Sequence, residues 1–274
     1  MNLRTLVNLR TLVAAIAALL LAPVYSAPVV YTGAGANAAA ITAVRDLFRV
    51  DVGGLRREIN WDGVPDNLAA PNNLPLNFFN VNSPRGAVFS TPGTGVAVSA
   101  NAGIAPVEFD NINPNYSQIF QTFSAQRLFA AIGSNVVDVN FFAAGTTNAG
   151  TTSAFASIFT DVDLPDTTAI EYFDGAVSKG RFAVPVANNG LSFLGVRFVD
   201  GERITRVRIT SGNAALGPND GGNIDVVAMD DFLYAEPLRA VPEPSSLALL
   251  ALGLFGCLAS FRRRHSVGSK RQAI

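Results

Sequence analysis

Aspartate is the residue type whose spacing in this sequence best suits metal chemistry. Asp161, Asp163 and Asp166 form the pattern Asp-x-Asp-x-x-Asp at the end of a β-rich run, and Asp230 and Asp231 are adjacent in the last such run. Ca²⁺ takes about six to eight oxygen ligands, and carboxylates are its usual protein ligands. We therefore consider structural calcium, bound through Asp161, Asp163, Asp230 and Asp231, as one interpretation of these aspartates. Acidic turn caps are the interpretation that we favour for the Asp161 run.

Two other interpretations of these aspartates stay open at this point. The Asp161 run lacks the glycine and the terminal glutamate of an EF-hand loop, and acidic side chains at a strand end often cap turns. Successive side chains on a strand point to opposite faces, so we expect one of Asp230 and Asp231 to face inward. That carboxylate would need a cation, an arginine or backbone donors as its partner.

Glu171 and Asp174 are the pair of carboxylates that we consider for catalysis. They flank Tyr172 and Phe173, and a glycoside hydrolase needs two carboxylates about 5–5.5 Å or 6.5–9.5 Å apart. Nothing else in the sequence indicates hydrolysis. A carboxylate-based extracellular glycan-active enzyme is therefore the alternative hypothesis for function.

Trp61 is the only tryptophan, and its neighbour Asp62 could make a ligand platform with it. A flat apolar ring beside hydrogen-bonding groups is what a sugar-binding surface needs, so we consider polysaccharide as a ligand. The competing interpretation, which we favour, places Trp61 and the pair Phe78 and Phe79 at one end of the core. The polar residues nearby would then form turns.

The overall composition excludes several kinds of chemistry. The chain has 274 residues, one cysteine (Cys257) and one histidine (His265), both close to the C-terminus. Residues 27–240 therefore lack the groups for Ser-His-Asp catalysis, Cys/His zinc sites or disulfide bonds. These residues hold 13 of the 20 basic side chains but 20 of the 21 acidic ones. An acidic body without a basic patch argues against nucleic-acid binding.

The elements that must position these residues are mostly strands. Apolar residues at helical spacing predict one short N-terminal helix over 37–50, which a glycine pair ends. Short β-rich runs separated by Asn, Gly, Pro and Asp predict strands at 95–99, 126–130, 136–142, 154–160, 169–173, 181–186, 191–199, 203–210 and 225–234. Many short strands predict an all-β fold, an antiparallel β-sandwich that is jelly-roll-like. We expect residues 51–92 to be a loop-rich lead-in to it.

The N-terminus is typical of a secretory signal peptide. Arg4 and Arg10 precede an apolar stretch at 11–22, and small residues follow. This order predicts export through the Sec translocon, with cleavage after Ser26, so that residues 27–240 form the extracytoplasmic domain.

The C-terminus combines three features in a fixed order. Pro242, Glu243 and Pro244 precede an apolar stretch at 245–261, which is followed by the cluster Arg262, Arg263 and Arg264. The apolar stretch predicts a transmembrane helix in the inner membrane, and the arginines act as a stop-transfer signal that keeps residues 265–274 in the cytoplasm.

This tail resembles the PEP-CTERM sorting signal of Gram-negative bacteria. Proteins with such a signal are recognised and processed by exosortase, a membrane protease and transpeptidase. The resemblance implies that Pro242, Glu243 and Pro244 form the sorting motif within residues 241–264. The body resembles an uncharacterised ectodomain that is found with this signal, which implies a fold but no activity.

Taken together, these features predict an exported surface or extracellular-matrix protein that exosortase sorts and processes. We expect its body to be a non-catalytic binding or structural module, with polysaccharide as the ligand considered.

Overall fold

The computed structural model describes residues 27–100, 107–199 and 201–239. The helices in this part of the chain are α1 (Ala38–Val52), α2 (Phe78–Val81) and α3 (Tyr116–Ile119), with 3-10 turns at Asp66–Leu68 and Val107–Phe109. The strands are β1 (Val29–Gly35), β2 (Arg56–Ile59), β3 (Ala87–Ser90), β4 (Gly95–Val98), β5 (Phe129–Ile132), β6 (Val136–Phe141), β7 (Gly150–Thr151), β8 (Ala154–Val162), β9 (Ala169–Asp174), β10 (Val177–Ala183), β11 (Ala187–Arg197), β12 (Arg206–Thr210), β13 (Ala228–Ala235) and β14 (Leu238–Arg239).

The strands form two large antiparallel sheets. The seven-stranded sheet has the order β1-β11-β8-β13-β5-β4 with β2 also paired to β13, and the five-stranded sheet has the order β10-β9-β12-β6-β3. Consecutive strands cross repeatedly between the sheets, since β8 and β11 lie in the larger sheet while β9, β10 and β12 lie in the smaller one. The prediction of an all-β, jelly-roll-like sandwich is confirmed.

The main core lies between the two sheets and draws on alternating positions of each strand. In β12, Val207 and Ile209 are fully buried in this core, whereas Arg208 between them is exposed. This is the alternation that the sequence predicts for a strand with one buried face. A second core lies on the other face of the larger sheet, where α1 packs Ile41 and Phe48 against Phe193.

Helix α1 agrees with its prediction to within two residues. The side chain of Asn37 accepts a hydrogen bond from the Ala39 N–H at 3.1 Å, which caps the first turn. Gly53 ends the helix with φ of +83° and donates its N–H to the Arg49 carbonyl at 3.3 Å. Both ends are therefore set by local signals.

The expectation of a loop-rich lead-in at 51–92 is only partly right. This stretch supplies β2, which pairs with Phe232–Ala235 of β13, and β3, which pairs with β6 in the smaller sheet. Each of these strands is four residues long. So short a run carries almost no periodicity, and the partners that stabilise it are remote in sequence.

Candidate metal centre

The pairing of β8 with β11 is irregular near Asp161, which lies one residue before the end of β8. The register of the two strands shifts between Ala187 and Leu191, and Asp161 itself has φ of +67°. Its Oδ1 accepts a hydrogen bond from the Asn189 N–H at 2.7 Å. The left-handed backbone and this bond hold the carboxylate in a position that a regular strand would not give it.

The loop between β12 and β13 brings a third carboxylate, Asp220, to the end of β8. One oxygen of Asp220 accepts the Val226 N–H at 3.0 Å, and Gly221 and Ile224 close the loop through two backbone hydrogen bonds. Asp225 then joins the loop to the chain after β8, because its carboxylate accepts the N–H groups of Asp163 at 3.1 Å and Leu164 at 3.4 Å.

Asp161, Asp163 and Asp220 converge, and we call these three residues the β8 cluster. Each offers a carboxylate oxygen, and the three oxygens lie within 4.8 Å of one another. Asp161 is only 1% exposed, and its Oδ2 is buried without a hydrogen-bond partner. Oδ1 of Asp163 is likewise buried without a partner. Neither oxygen receives an N–H or hydroxyl donor, and the contacts of Asp163 with Asp161 and with Asp220 are between carboxyl groups.

Burial and mutual repulsion raise the pKa of both partly unpaired aspartates. The pKa of Asp161 is raised to about 7. Burial is the largest cause of this rise, and the negative charges of Asp163 and Asp220 add to it. The pKa of Asp163 rises to about 6, again through burial first and then through Asp220 and Asp225. The negative charge of this site is costly without a cation or a proton to balance it.

Asp230 and Asp231, which we call the β13 pair, have a different environment. A bulge between Met229 and Phe232 interrupts the pairing of β13 with β8. Both aspartates are buried, and the Ser124 hydroxyl lies 3.1 Å from Oδ1 of Asp230 and 2.7 Å from Oδ1 of Asp231. The expectation that they point to opposite faces is wrong, because a bulge breaks the alternation of a regular strand.

Protein donors and a proton satisfy the β13 pair. Asp230 Oδ2 also accepts the Phe123 N–H at 2.5 Å. Burial, and then the charge of Asp231, raise the pKa of Asp230 well above its ordinary range, which favours a proton shared between the two carboxyl groups. Asp230 and Asp231 are not part of the β8 cluster, so the structure does not bring the four aspartates considered for calcium to one site.

The structure does not support the ligand platform that the sequence left open at Trp61 and Asp62. Trp61 is 1% exposed, and its ring stacks on Phe129 at 4.2 Å between centroids. Its Nε1–H donates to the Asp230 carbonyl at 2.9 Å. Asp62 is half-buried, and burial and the charge of Asp231 raise its pKa. Trp61 therefore anchors the core, which is the interpretation that the sequence favoured.

Glu171 and Asp174 do not face each other in the way that a glycosidase pair must. Both lie in β9, an odd number of residues apart, so their side chains are directed to opposite faces of the strand. The Glu171 carboxylate accepts the Ser178 hydroxyl at 2.7 Å, and Asp174 is exposed at the strand end.

Sequence reasoning identified Asp161 and Asp163 but missed Asp220. Asp220 lies between Pro218 and the glycines Gly221 and Gly222, a run that indicates only a turn. Asp166 belongs to the sequence pattern but is exposed and is not part of the cluster.

The end of the chain matches a known sorting signal. The PEP-CTERM protein-sorting motif aligns with residues 240–264, which include Pro242, Glu243 and Pro244 as well as Arg262, Arg263 and Arg264. The chain carries a PEP-CTERM motif. Comparison with curated proteins and with solved structures found no match.

The PEP-CTERM motif implies an exported, membrane-anchored precursor that exosortase processes. It begins at the residue that follows β14, whose last residue is Arg239. The predicted signal peptide at 1–26, the sorting residues, the apolar stretch at 245–261 and the tail at 265–274 lie outside the described residues. Within the described residues, no helix has the length and apolar character needed to cross a membrane.

Proposed function

We propose that this protein acts at the cell surface or in the extracellular matrix, where its body is a non-catalytic binding or structural module. The observation that carries this proposal is the direct attachment of the sandwich to the PEP-CTERM motif. The last strand, β14, pairs with β7 and ends at Arg239, and the motif starts at residue 240. Processing near the motif would release the sandwich with its strands complete.

The route that we propose starts with the Sec translocon and the signal peptide at 1–26. The apolar stretch at 245–261 then holds the precursor in the inner membrane, with the three arginines on the cytoplasmic side. Exosortase recognises Pro242, Glu243 and Pro244 and transfers the body outward.

The test uses the full chain, expressed in a Gram-negative host with and without exosortase. We expect the wild type to lose the residues that follow the sorting motif, including the apolar stretch at 245–261, and to leave the membrane fraction only in the host that has the enzyme. Glu243→Ala should stay uncut in the membrane, whereas the control Asp174→Ala, which changes an exposed carboxylate of the body, should be processed normally. Equal processing of both variants would contradict the role of Glu243.

Polysaccharide is the ligand class that we propose for a binding role, and an open groove in the smaller sheet supports it. The groove has a volume of about 490 Å³ and is lined by Ser90, Thr91, Pro92, Val136, Asp138 and Arg208. Arg208 makes two parallel hydrogen bonds to the Asp138 carboxylate, at 2.8 and 2.9 Å. Hydroxyl, carboxylate and guanidinium groups side by side can hydrogen-bond the hydroxyls of a sugar.

Affinity electrophoresis of the processed protein through gels that contain the host's extracellular polysaccharide tests this role. The wild type should be retarded, and Arg208→Gln should weaken binding about tenfold through the loss of a charged hydrogen-bonding pair. Arg181→Gln is the matched control, because Arg181 is an exposed arginine of the same sheet outside the groove. Equal retardation of both variants would place any binding elsewhere.

A further inference from the structure

We propose that the β8 cluster binds one calcium ion, with Asp161, Asp163 and Asp220 as its protein ligands. The ion would join the end of β8 to the loop between β12 and β13, two segments that are distant in sequence. This inference concerns the stability of the body and does not depend on its route of export.

The first support is the buried Asp161 carboxylate, whose two oxygens have different partners. Oδ1 accepts the Asn189 N–H, whereas Oδ2 is buried without an N–H or hydroxyl donor, although the residue is 1% exposed and belongs to a group of three carboxylates. An ionised oxygen that is buried without a donor is strongly disfavoured. A cation bound at Oδ2 removes this cost.

The neighbouring Asp225 shows that the lack of donors is local. Asp225 is fully buried as well, yet both of its oxygens accept hydrogen bonds, from the N–H groups of Asp163 and Leu164 and from the Thr167 hydroxyl. The loop between β12 and β13 therefore supplies two carboxylates. Asp225 receives its hydrogen bonds from protein donors, whereas Asp220 belongs to the β8 cluster. Asp225 positions the chain so that Asp163 faces the other two ligands.

The ligand set selects the kind of metal. Residues 27–240 contain no histidine and no cysteine, so the donors are carboxylate oxygens, which hard cations prefer. Ca²⁺ tolerates irregular geometry and fills its remaining positions with water, whereas Mg²⁺ demands a near-ideal octahedron. Asp163 and Asp220 are half-buried, so solvent reaches one side of the site. Three carboxylates and bound water are typical of extracellular sites, which bind calcium at about 10⁻⁴–10⁻³ M.

Thermal unfolding of the full chain in a mild detergent tests the proposal, with calcium chloride, magnesium chloride or EDTA added. Calcium at about 100 times its Kd should raise the unfolding midpoint of the wild type by about 5–10 °C. Asp220→Asn should abolish this shift. Asp166→Asn should retain it, because Asp166 belongs to the same aspartate pattern but is exposed and outside the cluster.

Direct binding provides a second measurement should a variant fold poorly. Terbium, a luminescent substitute for calcium, should bind the folded wild type and be displaced by calcium with about tenfold preference over magnesium. No midpoint shift and no terbium binding by the wild type would overturn the proposal. An unchanged calcium shift in Asp220→Asn would also overturn it.

Discussion

The β8 cluster and the β13 pair both consist of aspartates near irregular strand pairings, but the two groups differ in the hydrogen-bond donors that their buried carboxylates receive. Both lie where a β8 pairing is irregular, and both contain a fully buried aspartate, Asp161 in one and Asp230 in the other. Around Asp230, a backbone N–H, a serine hydroxyl and the second carboxyl supply every partner. Around Asp161, one backbone N–H reaches one oxygen.

This comparison shows that burial of a carboxylate does not by itself indicate a metal. The number of N–H and hydroxyl donors directed at the carboxylate oxygens separates the two cases, because such donors offset the cost of burying an ionised carboxylate.

Removal of the Asp230 carboxyl should give the largest change. Asp230→Ala leaves the Phe123 N–H and the Ser124 hydroxyl without their acceptor, and we expect a loss of about 3 kcal/mol in the free energy of unfolding. Asp230→Asn should cost under about 1 kcal/mol, because the amide accepts from Phe123 and donates to Asp231 as the protonated carboxyl does.

Urea denaturation in calcium and in EDTA measures both variants. The losses should be the same in the two conditions. A loss of stability that appears only in calcium would mean that the β13 pair also binds a cation, which would contradict the difference between the two groups.

The β8 cluster should make the metal-free protein less stable as the pH rises from about 4 to 7. The pKa of Asp161 is about 7 in the folded state against an ordinary 3.8, so the folded state binds more protons in this window. Its contribution is therefore full below pH 4 and is lost as the pH rises through 7. We expect a loss on the order of 2 kcal/mol, which allows for solvent screening at the half-buried Asp163.

Calcium should remove this decline, because the ion replaces the protons on the cluster. The pH dependence of the unfolding free energy, measured in EDTA and in calcium, checks the prediction. The difference between the two curves belongs to the β8 cluster, since protonation of the β13 pair is the same in both. Parallel curves would show that the cluster binds no calcium.

Loss of the hydroxyl at Ser124 should have the smallest effect. Ser124→Ala removes the donor that the β13 pair shares, which should cost about 1 kcal/mol without altering the calcium-induced midpoint shift. Ser178→Ala is the matched control, because its hydroxyl also donates to a carboxylate, that of Glu171, but does so on the surface. Its effect should stay within about 0.5 kcal/mol. Equal losses in the two variants would argue against a special role of donors at the buried pair.

Several elements of the fold are predictable from the sequence because their signals are local. Helix α1 has an asparagine cap, apolar residues at helical spacing and a glycine stop within one short segment. Strand β12 shows its alternation directly, and the tail has all parts of its sorting motif in consecutive residues. In each case, neighbouring residues supply the deciding interactions.

The candidate site is only partly predictable for the opposite reason. Asp161 and Asp163 are recognisable as acidic residues at a strand end, but Asp220 joins them through a loop that belongs to another part of the chain. The bulge in β13 depends on its pairing with β8, and this pairing brings Asp230 and Asp231 to the same serine. A pattern that alternates in sequence cannot reveal a bulge.

The β-rich class, the first helix and the sorting motif can be predicted from the sequence, because each depends on residues that are close along the chain. Three features emerge only from the folded arrangement: Trp61 is buried on Phe129, protein donors satisfy the β13 pair, and two oxygens of the β8 cluster lack an N–H or hydroxyl donor. Each of these outcomes depends on which donors and rings arrive from remote strands. Packing and hydrogen bonding between distant segments set the cost of burial, and a linear pattern does not record them.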